Sequence, residues 1–130
     1  MKRVFVAAFG TVLALLASEG SSQAPAADAH AHGKQVYDYW CLPCHGPGLG
    51  LPGFGELPGT QQLRIKYRDT GISPLLEERT DLVPDFVKVI VRQGVSFMPQ
   101  FRKTEISDAD LDALAAYLAR NNAASPRASR

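Results

Sequence analysis

Trp40-Cys41-Leu42-Pro43-Cys44-His45-Gly46 is the stretch around which the chain is organised. Cys41 and Cys44 are its only cysteines, two residues separate them, and a histidine follows at once. C-x-x-C-H is the spacing of covalent c-type haem attachment. Each thiol can add to one haem vinyl group as a thioether, and the tight turn between them presents His45 to one face of the ring as proximal iron ligand. Other uses of such a pair fit less well. A thiol redox pair belongs in a strand-helix setting that is missing here, and zinc needs four nitrogen or sulfur ligands. Its remaining candidates, His30 and His32, lie in a polar, Ala-rich stretch that reads as unstructured.

Upstream, Met1-Lys2-Arg3 is a short basic start, and Val4 to Ala17 is an unbroken run of apolar or small residues. The run matches the roughly 7–15 residues of a signal-peptide core and falls short of the roughly 20 that span a bilayer. It predicts a cleaved signal peptide over residues 1–24, export to the periplasm and no stable membrane span; the alternative reading of the run is an uncleaved N-terminal anchor. The cut falls somewhere in 17–29, where Ser18-Glu19-Gly20, Ser22-Gln23-Ala24 and Ala27-Asp28-Ala29 all offer small residues. In an exported chain two cysteines ordinarily suggest a disulfide, but a loop this short would constrain almost nothing. Thioethers are the better use of the pair.

Charge gives no argument for nucleic acid, and none is expected as a partner. Removing Lys2, Arg3 and Glu19 from 14 basic and 13 acidic side chains leaves 12 of each, so no overall field favours phosphate. Arg64, Lys66 and Arg68, the pair Arg102-Lys103, and Glu105, Asp108, Asp110 and Asp112 form local clusters that read as solvated faces or as steering groups for a charged partner.

Length allows one domain, over residues 33–121, with 25–32 as a flexible lead-in and 122–130 as a disordered tail. Val36, Tyr37 and Trp40 fall at helical spacing after Gly33. Gly46 to Gly59 holds six glycines and three prolines and must be a loop, one that lets backbone approach a flat group closely. Thr60 is read as the cap of a helix to about Arg68, with Leu63 and Tyr67 on one face, and Ser73-Pro74 as the start of a short turn. Val83 to Arg92 has strand propensity in Val87, Val89, Ile90 and Val91. Pro84, Gly94 and the stripe Phe86, Val89, Ile90, Gln93 nevertheless predict a buried helix. Ser107 caps a last helix to about Arg120, with Leu111, Leu114, Ala115 and Leu118 as its apolar stripe. The fold class is all-α.

Between these last helices lies Val95-Ser96-Phe97-Met98-Pro99-Gln100-Phe101. The other methionine is Met1, so a thioether bond to iron must come from Met98; the bland reading is core packing beside two phenylalanines. His30 and His32 compete as ligands if the lead-in folds back. His/Met ligation would raise the reduction potential and leave no open position for oxygen or peroxide. Trp40, Leu42, Phe97 and Phe101 form an apolar shell around such a site, and Trp40, Tyr67, Arg79 and Arg102 are candidate partners for the haem propionates.

Gly33-x-x-Val36-Tyr37, Cys41-x-x-Cys44-His45-Gly46, Met98-Pro99-x-Phe101 and Asp110-Leu111-x-Ala113-Leu114-x-x-Tyr117-Leu118 together resemble the class I monohaem cytochromes c, over about residues 30 to 121. The resemblance implies a small cytochrome c fold, three to five helices around one covalently bound haem, with the first helix crossing the last near Gly33, Tyr37, Leu114 and Tyr117. It also implies a proline carbonyl, from Pro47, Pro52 or Pro58, accepting a hydrogen bond from the proximal histidine. Leu76 to Leu82 and Val91 to Pro99 look most like the cytochrome subunits of flavoprotein 4-alkylphenol hydroxylases of the p-cresol methylhydroxylase and eugenol hydroxylase type. That implies a single-electron carrier and no catalyst, with a flavoprotein dehydrogenase or hydroxylase as donor and a cytochrome, oxidase or blue-copper protein as terminal acceptor. The competing functions are a five-coordinate haem sensor or weak peroxidase, in which Met98 is not a ligand, and a haem-free thiol oxidoreductase.

Overall fold

The computed structural model describes residues 26–53 and 55–123, so the expected signal peptide and most of the expected tail lie outside the described residues. Among the described residues there are five α-helices, two 3-10 turns and no strand: α1 Ala26–Trp40, α2 Leu42–His45, α3 Pro58–Lys66, α4 Pro84–Gln93 and α5 Asp108–Leu118, with turns at Leu76–Glu78 and Ala119–Asn121.

The fold turns on the crossing of α1 and α5. A Cβ on Gly33 would lie 2.2 Å from the Ala113 carbonyl oxygen and 2.6 Å from Tyr117 Cβ, so only glycine lets the two backbones approach this closely. Around that point Tyr37, Val36, Leu111, Leu114, Ala115 and Leu118 are buried, and the Tyr37 and Tyr117 rings meet at 6.1 Å. α1 starts earlier than expected. Residues 26–32, predicted as flexible, are helical because Ala26-Ala27-Asp28-Ala29-His30-Ala31 is rich in the best helix former. His32 Nε2 then lies 2.7 Å from Asp110 Oδ1 at the start of α5.

α4 forms despite its β-branched residues because its ends are specified: Pro84 occupies the first turn, and Gly94 takes a positive φ of 69°. The buried positions are Val87 and Val91, one turn apart. The expected stripe is therefore rotated: Val89 and Gln93 are exposed, while Phe86, Val87, Ile90 and Val91 line the cleft described below, Phe86 at its exposed rim. α3 starts at Pro58, two residues before the predicted cap. Thr60 is no cap; its side chain is buried, and its hydroxyl donates to the Gly46 carbonyl at 2.9 Å.

Ser107 does cap α5, its Oγ accepting from Asp110 N at 3.1 Å. The helix continues as the turn Ala119–Asn121. Asn121 and Asn122, the last residue of the expected domain and the first of the expected tail, are tied down: their side-chain amides donate to the carbonyls of Glu77 at 2.8 Å and Leu82 at 2.9 Å.

Candidate functional site

Two adjoining apolar clefts of about 130 and 380 Å³ lie between α2–α3 on one side and α4 with the Met98 loop on the other. Cys41, His45, Leu63, Lys66, Val95 and Met98 line both, and Cys44 lines the larger. The residues singled out by motif and the methionine singled out by elimination thus meet at one place, although 53 positions separate His45 from Met98.

The cysteines come from the end of α1 and the single turn of α2. Both are free thiols, Cys41 buried and Cys44 exposed. Burial, reinforced by the neighbouring Cys44, pushes the Cys41 thiol up to about 12. A thiol so resistant to ionisation is unlike a redox nucleophile, which needs a lowered pKa, and this tells against Cys41 in that role.

His45 is held by its surroundings. Burial lowers its pKa, which favours the neutral imidazole that ligates metals. Its Nδ1 is buried without a hydrogen-bond partner. The Nδ1–Cε1 edge rests on Gly59, where a Cβ would come within 2.7 Å of Nδ1 and 2.6 Å of Cε1. That leaves the Nε2 side of the ring for the cleft. The proline carbonyl implied by the resemblance is not found: among the described residues, Pro47, Pro52 and Pro58 included, no acceptor reaches Nδ1. The long Gly-rich loop places Gly59 against the imidazole instead. The peptide around His45 is bonded on several sides. His45 N donates to Cys41 O at 2.9 Å, the Tyr37 hydroxyl to His45 O at 3.2 Å, and the Thr60 hydroxyl to Gly46 O at 2.9 Å. Burial raises the Tyr37 phenol well above its ordinary pKa, so it stays a donor.

Opposite, Val95 and Met98 exchange two backbone hydrogen bonds of 3.1 and 2.9 Å around a tight turn. Gly94 and Ser96 take positive φ values of 69° and 55° to make it. A Cβ on Gly94 would lie 2.6 Å from Met98 O. Beyond the turn, Phe101 N donates to Val91 O at 2.9 Å, and Arg92 bridges Phe101 O at 3.0 Å and Asp108 Oδ1 at 2.9 Å.

His30 and His32 line neither cleft, and His32 is engaged with Asp110. Among the described residues no three His, Cys, Asp or Glu side chains gather as a metal cluster, which removes the zinc reading there. Of the four propionate candidates, Trp40, Tyr67 and Arg79 line the clefts, whereas Arg102 is exposed beside Glu105 and lines neither. Leu42 also lies off the clefts, against Gly46. Arg79 is 4% exposed; its guanidinium lies 4.5 Å from the Tyr67 ring centre and bonds Asp81, whose carboxyl it holds below the usual range. An apolar slot with a neutral imidazole on one wall, a thioether on the other and two free thiols at the histidine side has the donor set that fits a haem.

A family model described as cytochrome C oxidase, cbb3-type, subunit III matches residues 28–118. The chain belongs to the cytochrome c family. Over 118 residues, 91% of its own length and 83% of the relative's, this cytochrome is 30% identical to the 4-cresol dehydrogenase (hydroxylating) cytochrome c subunit of Pseudomonas putida. No solved structure matches it. It is an electron-transfer haem protein, a carrier and not a catalytic subunit.

Sequence reasoning missed several residues of this cytochrome's cleft. Lys66 was visible only as part of a basic cluster, Phe86 and Ile90 only as the stripe of a buried helix, and Leu76 and Leu82 only as the ends of a stretch that carries the resemblance. The acidic cluster is not a free field either: Asp108 meets Arg92 and Lys103, Asp110 meets His32, and Asp112 meets Lys88. No helix of the described residues is long and apolar enough to cross a membrane.

Proposed function

We propose that this chain is a periplasmic monohaem cytochrome c in which Cys41 and Cys44 attach the haem covalently and His45 and Met98 ligate its iron. The convergence of His45 and Met98 on one apolar cleft, with both thiols on the histidine wall, carries this reading. When bound, the haem supplies a reversible one-electron centre. The chain's own residues do the rest. His45 and Met98 would hold the iron and leave no position open to small ligands, Cys41 and Cys44 would prevent loss of the group, and the apolar lining of Trp40, Leu63 and Phe101 would keep water from it, which favours the less charged reduced state. Tyr67 and Arg79 supply a phenol and a guanidinium for the propionates.

The likeness to the cytochrome subunit of a 4-cresol dehydrogenase supports a dehydrogenase as donor, with a flavoprotein hydroxylase of alkylphenols as the specific reading. Phe97, 59% exposed on the Met98 turn, stands where such a partner would dock. The basic start and apolar run of residues 1–17 support export.

The test is the visible spectrum of the protein made with haem-maturation machinery, with haem staining after denaturation. A stain that survives denaturation, and a weak red-edge band of iron–thioether bonding that disappears on reduction, are expected. Haem without that band, together with rapid carbon monoxide binding at neutral pH, overturns Met98 ligation in favour of the sensor.

A further inference from the structure

Among the described residues, every lysine and arginine but three is held in an ion pair with a carboxylate. Of those three, Arg120 donates to the carbonyls of Tyr117 and Glu77. The two left over, Lys66 and Arg68, flank Tyr67 at the end of α3. Arg68 lines an open groove of about 690 Å³ that runs beside α3 and the turn after it, with apolar Ile65 and Ile72 also in its lining. This groove shares no residue with the larger cleft, where Phe97 lies, but it shares Tyr67 with the smaller one. A single side chain therefore reaches from the groove to the cleft, and its ring carries the buried Arg79 guanidinium at 4.5 Å.

Charge separates the two faces. Around the groove Arg64, Lys66 and Arg68 stand against Glu56 and Asp69, and Glu56 is already paired with Arg64, which leaves the face positive by one charge. At the Met98 turn the exposed side chains Val95 and Phe97 are apolar, and the nearby Arg102 and Lys103 are paired with Glu105 and Asp108. Apolar contact holds a partner, whereas unneutralised charge steers one in and selects its sign. We infer that the groove is a second docking face, fitted to an acidic one-electron acceptor protein, while the Phe97 face is left to the donor. The inference rests on the carrier reading proposed above. One electron leaves the reduced protein and reduces the acceptor's metal centre, and no proton or atom moves with it.

The test follows oxidation of the reduced holoprotein by an acidic blue-copper protein and by uncharged benzoquinone, at low and high salt. Arg68 is exposed and has no partner, so Arg68→Glu is expected to fold as the parent does. It should slow the copper protein several-fold at low salt, lose most of that effect at high salt, and leave benzoquinone rates and the midpoint potential unchanged. Asp69→Asn should speed the copper protein, since asparagine keeps the positive φ of 64° and removes the opposing charge. Lys88→Glu on α4, a reversal of the same size, should matter less than Arg68→Glu. Equal slowing by Lys88→Glu makes the effect one of net charge and overturns the inference, as does a parent rate that ignores salt. Amide shifts on adding the copper protein are expected in residues 64–72; shifts centred on Phe97 also overturn it. A parent that passes no electron to either oxidant overturns the carrier reading itself, and is seen before any variant is made.

Discussion

On the His45 side of the cleft, the carbonyls at 45 and 46 are engaged by buried hydroxyls and the ring is seated on a glycine. On the Met98 side, the chain makes one tight turn with Val95 and Phe97 exposed, moored by backbone bonds to α4 and by Arg92. The first wall is held from within the core and the second from its edges. Such a difference would suit a carrier: on the function proposed above, the wall that holds the cofactor is the more firmly bonded and the wall that meets a partner is the more exposed.

Changes to the thiols break the firmly bonded wall most completely. Cys41→Ala with Cys44→Ala is expected to abolish haem staining after denaturation. Met98→Ala attacks the other wall alone. Haem should remain attached while the thioether band is lost and the midpoint potential falls; an unchanged potential would return Met98 to packing. Gly59→Ala puts a methyl within 2.6–2.8 Å of the His45 ring and Cys44 O, and should cost about 1–3 kcal/mol in denaturant unfolding. A comparable loss from a change to exposed Phe97 would erase the contrast between the walls.

Arg92→Ala removes the mooring of the Met98 loop. The expected cost is about 1 kcal/mol, with the thioether band retained and exogenous imidazole displacing Met98 faster than in the parent. The smallest effect belongs to Asp81. Its carboxyl is held low by Arg79, so the pair's contribution is present above the unfolded pKa of about 3.9 and is lost as pH falls through the lowered folded value. Asp81→Asn should flatten the acid limb of the stability profile and, because the carboxylate is 40% exposed, cost under about 1 kcal/mol at neutral pH.

Whatever depends on a few neighbouring residues was legible in the sequence. The cap at Ser107 and the Pro84 and Gly94 limits of α4 are local chemistry, and each stands as read. The crossing at Gly33 was legible through the resemblance. What was not legible depends on partners distant in sequence. Thr60 has the signature of a cap, but its hydroxyl is spent on a carbonyl 14 positions away. Periodicity could not say that Val87 and Val91, rather than Val89 and Gln93, are the buried positions of α4, since apolar side chains lie on several of its faces. Asn121 and Asn122 look like the last residue of a domain and the first of a tail until the carbonyls of Glu77 and Leu82, 44 and 40 positions back, reach them.

The Gly33 crossing ties together segments at opposite ends of the domain, as the 78-position separation of His32 and Asp110 shows. A contact of that range closes a long loop, and the entropy of that closure is repaid only when α1 and α5 are both in place. A methyl at position 33 would strike the Ala113 carbonyl, so a single added carbon would part the two ends of the domain.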